Sequence, residues 1–444
     1  MKTNLALAKS ILVGALGGLL FGFDTAVIAG TTHALRILFN LSPAQLGFTV
    51  SAALWGTVAG AMFSGVLGEK LGGRESLRIL AGCYVISALG CAFAQSWPSL
   101  LLFRFIGGMG IGGSSVLAPV YLAEISPAKW RGRVVGGFQI NIVVGVLAAY
   151  FSNYIIASLN LGAREWRWQL GVAALPAGLF LALLFGIPPS ARWLVTKGRV
   201  EEAEQVLRKL GAESPSEELA EIVDSTHPEG GGADSEPLFQ RKYRLPIFFA
   251  IAIAMFNQLA GINAIIYYLN DIFAMAGFTK MSSNLRAVVI GAVNLLATLL
   301  AMSLIDYVGR KTLLLIGSVG LALSLSGVAA IFFAQAHQSW LLYLLIAYIG
   351  FFAISQGAVI WVFISEVFPN RVRAKGQSLG SSTHWIMNAI ISGVFPMLLT
   401  RSAAYPFTFF AIMMVVQFFV VLFFFPETKG VTLERLQHRL GIEY

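Results

Sequence analysis

Charge is what this sequence has least of. Asp, Glu, Lys and Arg make up 12% of its 444 residues, about half the share found in soluble domains. Cysteine is nearly absent as well. Cys83 and Cys91 fall about 12 Å apart on one expected helix, too far to bridge each other. A disulfide-built scaffold is excluded, and both read as small buried apolar side chains. The five histidines are scattered. His33, His227, His337 and His438 lie in expected loops or the tail, and only His384 sits in an apolar run. No metal-ligand spacing occurs, and no glycine-rich phosphate loop follows a strand. Gly107-Gly108-Met109-Gly110 and Gly112-Gly113 read as helix-packing glycines. No catalytic constellation, metal site or cofactor site emerges, so the chain does not read as an enzyme.

What is present is apolar. Hydrophobic residues make up 57% of the chain and the mean hydropathy is +0.75. A polytopic helical membrane protein fits these totals. Apolar runs fall near 10–31, 45–67, 76–95, 98–122, 134–158 and 168–187, then near 246–274, 281–305, 312–334, 339–366, 374–399 and 404–425. The expected fold is all-α, with twelve transmembrane helices in two six-helix bundles. The bundles are expected over 1–189 and 245–426, with a cytoplasmic helical linker at 190–244 and a tail at 427–444. Within the linker, Val200, Ala203, Val206, Leu207 and Leu210 form a helical stripe. Residues 216–223 allow a second short helix, and 227–236 read as a flexible segment. Met1 to Lys9 lacks a cleavable-signal pattern, so the first run reads as a retained helix.

The net charge of +9 follows membrane sidedness rather than nucleic-acid binding. Lys and Arg gather at the N-terminus, the even-to-odd loops and the C-terminal tail. Only Arg36, Arg164, Arg167, Lys280, Arg286 and Arg401 fall on the other side, and Arg104 lies within a span. Both termini and the linker are expected to be cytoplasmic, in a multi-pass protein of the cell membrane.

The two halves repeat one another at about 240 residues' separation. Gly22-Phe23-Asp24 matches Gly261-Ile262-Asn263. Gly65-x3-Glu69-x2-Gly72-Gly73-Arg74 matches Met302-x3-Asp306-x2-Gly309-Arg310-Lys311. Glu124-x2-Pro127-x3-Arg131 matches Glu366-x2-Pro369-x3-Arg373, and Pro188 matches Pro426. A parallel duplication of this kind places a substrate site near the midplane and implies alternating access. At the cytoplasmic helix ends, Glu69, Arg74, Glu124 and Arg131 in the first half form one candidate gate network. Asp306, Arg310, Glu366 and Arg373 form its counterpart in the second.

Asp24 is the only ionisable residue in the first span, where a carboxylate costs about 2.5–3.5 kcal/mol on insertion scales. Arg104 in the fourth span sits at a similar depth, about 9 Å below the outer end. Such a pair holds the acid ionised while in contact and favours its protonation when contact is lost. That is the chemistry of a proton carrier; a structural ion pair that never titrates is the alternative.

The motifs GFDTAVIAG, GEKLGGR, DYVGRK, YLAEISPAKWRGR, NQLAGINAIIYY, WVFISEVFPNRVRAKG and PETKG together resemble those of the sugar porters of the major facilitator superfamily, over essentially the whole chain. The resemblance implies sugar and proton as partners, with the lipid bilayer as surroundings and a monomer as the working unit. Proton-coupled members carry Asp at position 24, where facilitative ones commonly have Asn. It also implies monosaccharide ligands at Gln139, Gln258, Asn263, Asn294, Trp361 and Trp385. Asn257, His384 and Asn388 complete the set of polar groups near mid-depth. Neutral amides suit sugar hydroxyls, and aromatic faces suit the C–H surfaces of the ring. Helix–helix hydrogen bonding is the other reading of any single amide.

Several positions depart from the family pattern. Pro188-Pro189-Ser190-Ala191-Arg192 stands where Pro-Glu-Ser-Pro-Arg is usual, and Glu69 replaces an Asp. Ala174 stands where a proton-coupled member has Glu. Asn257 replaces a frequent Gln. His384 replaces Asn or Gln, either as a neutral hydrogen-bonding imidazole or as a second titrating group. The expected function is proton-coupled uptake of a hexose or pentose. The alternatives are a facilitative uniporter, a membrane sugar sensor and a proton-coupled exporter of other solutes.

Overall fold

The computed structural model describes residues 5–127, 131–212, 214–226, 236–369, 371–431, 436–438, 440 and 442, without the side chains of residues 131–133, 135, 225, 226 and 306. The first part of the chain forms α1 (Leu5–Val27), α2 (Thr32–Leu38), α3 (Pro43–Phe93), α4 (Trp97–Ile125), α5 (Arg131–Ser158), α6 (Glu165–Gly171) and α7 (Ala174–Leu184). The linker forms α8 (Ala191–Thr196), α9 (Val200–Leu210) and α10 (Pro215–Thr226). Then come α11 (Arg244–Leu259), α12 (Ile262–Tyr267), α13 (Leu269–Met275), α14 (Lys280–Val308) and α15 (Arg310–Ala334). The chain continues with α16 (Leu341–Phe352), α17 (Ala358–Val367), α18 (Arg373–Arg401) and α19 (Ala404–Phe424). No strand occurs among the described residues.

Eleven helical stretches among the described residues are long and apolar enough to cross a bilayer. One of them is α3, with 51 residues, about 75 Å of helix against about 30 Å of hydrocarbon. It is two crossings fused at Gly72, whose φ of 81° breaks the helix between them. The twelve expected crossings follow from that division.

Contacts divide the chain into two units. One holds the chain up to Thr31 and from Ala52 to Gly232; the other holds Thr32–Ser51 and the chain from Ala233 on. The linker helices group with the first unit. The reason is the stripe on α9: Ala203, Val206, Leu207 and Leu210 are buried in the same core as Leu122 and Leu184. Thr32–Ser51 groups with the second unit, where the start of α3 meets α18. A Cβ at Gly47 would lie 1.8 Å from the Gly393 carbonyl oxygen.

Glycine sets the close packing in the first unit. A Cβ at Gly22 would lie 1.8 Å from the Ile142 oxygen, and one at Gly145 would lie 2.0 Å from the Leu19 oxygen. These positions let α1 and α5 touch backbone to backbone, as small residues do in helices that pack without a hydrophobic drive. Gly108 and Gly112 bring α4 equally close to Ala53 and Thr57 on α3. Asp24 on α1 and Arg104 on α4 are carried by helices of this closely packed unit.

Candidate functional site

In the first unit, the structure brings Asp24 and Arg104 within electrostatic reach of each other. Arg104 is buried at 4% exposure, and Asp24 is half-buried. Both charges act on Cys91, and Asp24 also acts on Tyr84. The Tyr84 hydroxyl lies 2.9 Å from the Ser114 hydroxyl. The acid thus sits in a small polar island of α1, α3 and α4, inside otherwise apolar packing. Gln139 is half-buried on α5.

In the second unit, the amides form a connected chain. α11 ends at Leu259, Gly261 takes a left-handed conformation (φ 84°), and α12 starts at Ile262. A Cβ at Gly261 would lie 2.4 Å from the Phe410 ring, so only glycine fits this break. The freed Ala260 carbonyl accepts from the Tyr348 hydroxyl at 2.8 Å. The break folds Asn263 back onto Gln258, and Asn263 Nδ2 donates to Gln258 Oε1 at 3.0 Å. Gln258 Nε2 donates to Asn257 Oδ1 at 3.0 Å and lies 3.2 Å from the ring nitrogens of His384. Asn257 Nδ2 reaches the main-chain oxygen of Gln356 at 3.4 Å.

His384 meets this network through the Gln258 amide. His384 lies 5.2 Å from the Trp361 ring and 5.1 Å from the Trp385 ring. Trp385 is buried, whereas Trp361 is 38% exposed. Asn388 is fully buried beside them, donating to the Tyr267 hydroxyl at 3.3 Å and accepting from Ser392 at 3.1 Å. Asn294 on α14 is half-buried. Tyr268 is packed into the interior of this unit. It is 1% exposed and stacks on Phe395 at 5.3 Å.

At the helix ends that carry the charge motifs, the expected network of the second half includes one ion pair, Arg310–Glu366, and the remaining charged groups have other partners. Glu69 is exposed, and among the described residues it is engaged through its main-chain oxygen, by Trp193 Nε1 at 3.2 Å. Arg74 pairs with its neighbour Glu75 at 2.7 Å and donates to the Ile187 oxygen at 3.1 Å. The turn at Gly72 separates Glu69 from Arg74 and starts a new helix at the arginine. Arg78 reaches the same Glu75 at 2.7 Å. Glu124 takes a hydrogen bond from Ser190 and feels the charge of Arg192. In the second unit, Arg310 Nη2 donates to Glu366 Oε1 at 3.0 Å, and the Thr428 hydroxyl donates to Glu366 Oε2 at 2.6 Å. Arg373 does not pair with Glu366. It donates to the Phe368 oxygen at 3.3 Å, while its Nη2 is buried with no partner among the described residues. The side chains of Arg131 and Asp306 lie outside the described residues.

Two residues of these networks went unread in the sequence. Glu427 accepts from the main-chain N–H groups of Arg310 at 2.9 Å and Lys311 at 3.1 Å. Its position in the PETKG motif was the available signal. Gln356 sits in a π-helical turn at Ala353–Gly357, and nothing in the local composition marks that turn.

The family model described as "Sugar (and other) transporter" matches residues 10–440. The chain is 34% identical to the D-xylose-proton symporter of Escherichia coli (strain K12), over 96% of this chain and 94% of that one. It is 35% identical to the arabinose-proton symporter of Bacillus subtilis (strain 168), over 95% and 92%. Among solved structures, it is similar to the inward-open xylose transporter of E. coli. The TM-score is 0.86 at 34% identity, over 97% of this chain and 98% of that one. This chain belongs to the sugar transporter family.

Proposed function

We propose that this protein carries a monosaccharide, a hexose or a pentose, across the membrane together with a proton, by alternating access. The observation that carries the reading is the Asp24–Arg104 pair. Asp24 is the one ionisable group of its span, held within reach of a buried guanidinium, in a chain related to sugar–proton symporters. The positive charge of Arg104 within reach favours the charged carboxylate. Movement that weakens the contact leaves the acid in a low-dielectric setting, where it takes up a proton. The Asn257–Gln258–Asn263 chain, with His384, Asn388, Trp361 and Trp385, forms the sugar side of the site. Its amides pair with hydroxyls and its indoles with ring faces, and Gln139 and Asn294 add further amides. The networks at the cytoplasmic ends serve as gate braces.

The protein works as a monomer in the cell membrane, with both termini cytoplasmic. Its bundles fall at 1–189 and 245–426, on either side of the linker at 190–244, with the tail at 427–444. Uniport is the second reading, favoured by Ala174, which leaves the relay without a second carboxylate. Uptake by reconstituted vesicles over a sugar panel, with and without a pH gradient, separates the two. Asp24→Asn is expected to abolish accumulation against a gradient while preserving counterflow exchange. If that variant still concentrates sugar, Asp24 does not couple transport to protons.

A further inference from the structure

The amide chain is held from behind by a residue with no part in the reading above. Between α16 and α17, the helix widens into the π turn Ala353–Gly357. Such turns interrupt the regular hydrogen-bond ladder and recur at functional sites. This one is tightly built. A Cβ at Gly317 on α15 would lie 2.0 Å from Ser355 Oγ, so a glycine lets the turn press against α15. Gln356, at 1% exposure, points its amide at α19. Its Nε2 donates to Gln417 Oε1 at 2.8 Å and meets Met414 Sδ at 3.2 Å. Gln417 is itself 1% exposed. On the other side, the Gln356 main-chain oxygen is the atom that receives Asn257 Nδ2.

A buried amide–amide bond between two spans is expensive to leave half-made. Gln356 Oε1 is already buried without a partner. The extra residue of a π turn also rotates the following helix by about 100° relative to a continuous α-helix. Trp361 lies on that following helix. One anchor therefore governs both the direction of Asn257 and the facing of Trp361.

We infer that Gln356, clamped by Gln417, is a positioning residue for the sugar: it orients Asn257 through its main-chain oxygen and Trp361 through the π turn, without touching sugar or proton. The inference rests on the amide cluster being the sugar site. It assigns Gln356 to affinity and to discrimination between epimers, and leaves coupling to Asp24.

The test compares Gln356→Leu, Gln417→Leu, the double variant and Asn257→Ala in vesicles, with thermal unfolding measured alongside. Either single leucine strands the opposite amide and lowers the melting temperature. The double variant removes both polar groups, and its stability returns towards the parent value. The expected result is a sugar KM raised about three- to tenfold in Gln356→Leu and equally in the double variant. The proton-to-sugar ratio is unchanged and epimer selectivity is reduced. A double variant with parental KM, or a KM that merely follows the melting temperature, overturns the inference. Asn257→Ala separates the two levels. If it leaves sugar affinity intact, the amide-site reading fails and this inference fails with it. If it weakens affinity while the double variant does not, only the role of Gln356 is lost.

Discussion

The helix ends that carry the charge motifs in the two halves start from the same sequence pattern and solve the same problem differently. In the second half, the turn at Gly309 exposes the main-chain N–H groups that open α15, and the Glu427 carboxylate accepts from two of them. The same carboxylate accepts from the N–H groups of Thr428 and Lys429, each at 3.0 Å. Next to it, Thr428 and Arg310 share Glu366. In the first half, the repeat places Pro189 where Glu427 stands and Gly73 where Arg310 stands. The Trp193 ring lies where a Cβ on Gly72 would go, its nearest atom 2.7 Å away. Ser190 still bonds the acid of its own half, Glu124. The remaining charges form a local triad of Arg74, Glu75 and Arg78. A cavity of about 230 Å³ lies among Gly73, Arg74, Pro189, Ser190 and Trp193. Duplication kept the serine or threonine on the acid and dropped the carboxylate on the helix start. The first half closes its end with an indole and the more exposed ion pairs, the second with a four-fold carboxylate and a more buried ion pair.

The difference is largest at Glu427. Glu427→Ala leaves two N–H groups of α15 and two of its own turn without their acceptor. A charged acceptor contributes about 1.5–3 kcal/mol per bond when dry, and water replaces part of that here. A net loss of about 3 kcal/mol is expected, read as a drop of several degrees in the melting temperature of the detergent-solubilised protein. Pro189→Ala in the first half is expected to move the midpoint by less than about 0.5 kcal/mol. Equal losses at the two positions would break the comparison.

Next in size is the ion pair. Arg310 and Glu366 have side-chain exposures of 11% and 26%, against 25% and 39% for Arg74 and Glu75. Removing one member of a desolvated pair strands the other, whereas exposed pairs contribute about 0–1 kcal/mol. Arg310→Ala is therefore expected to cost up to about 3 kcal/mol, and Arg74→Ala no more than about 1 kcal/mol. Raising the salt from low to 0.5 M sharpens the contrast: it is expected to weaken the Arg74 contribution and leave that of Arg310 largely intact.

Much of this architecture was legible in the sequence, for physical reasons that act locally. An apolar run bounded by charge has one stable fate in a bilayer, so the crossings and their ends could be read. The repeat set Gly261 two residues before Asn263, and the helix breaks at that glycine. The stripe on α9 announced its buried face. Partner choice at the charged helix ends was less legible, because it depends on chain direction after a turn. Glu366 and Arg373 share one motif, yet the chain reverses at Pro369 and Arg310, from a distant segment, takes the acid. Glu69 and Arg74 are likewise parted by the positive φ of Gly72. The π turn is the hardest case. Ala353-Ile354-Ser355-Gln356-Gly357 has the composition of an ordinary span, and it widens where Gly317 admits Ser355 and Gln417 holds Gln356.

The smallest expected effect tests the comparison most directly, by restoring the missing acid. Pro189→Glu puts a carboxylate at the position that repeats Glu427, beside the cavity bordered by Gly73 and Arg74. If the first half lacks only the acid, the new side chain reaches the N–H groups that start the helix after Gly72. A negative charge at a helix start contributes about 0.3–1 kcal/mol when exposed, so a rise of one or two degrees in the melting temperature is expected. Glu75 and Glu202 also border the cavity and repel the newcomer, which is why the gain stays below the loss at Glu427. Combining Pro189→Glu with Trp193→Ala distinguishes the two ways to miss that gain. If the double variant gains over Trp193→Ala while Pro189→Glu alone does not, the indole already fills the place of the carboxylate. If neither background gains, the helix start after Gly72 is not equivalent to the one after Gly309, and the halves differ in backbone as well as in side chain.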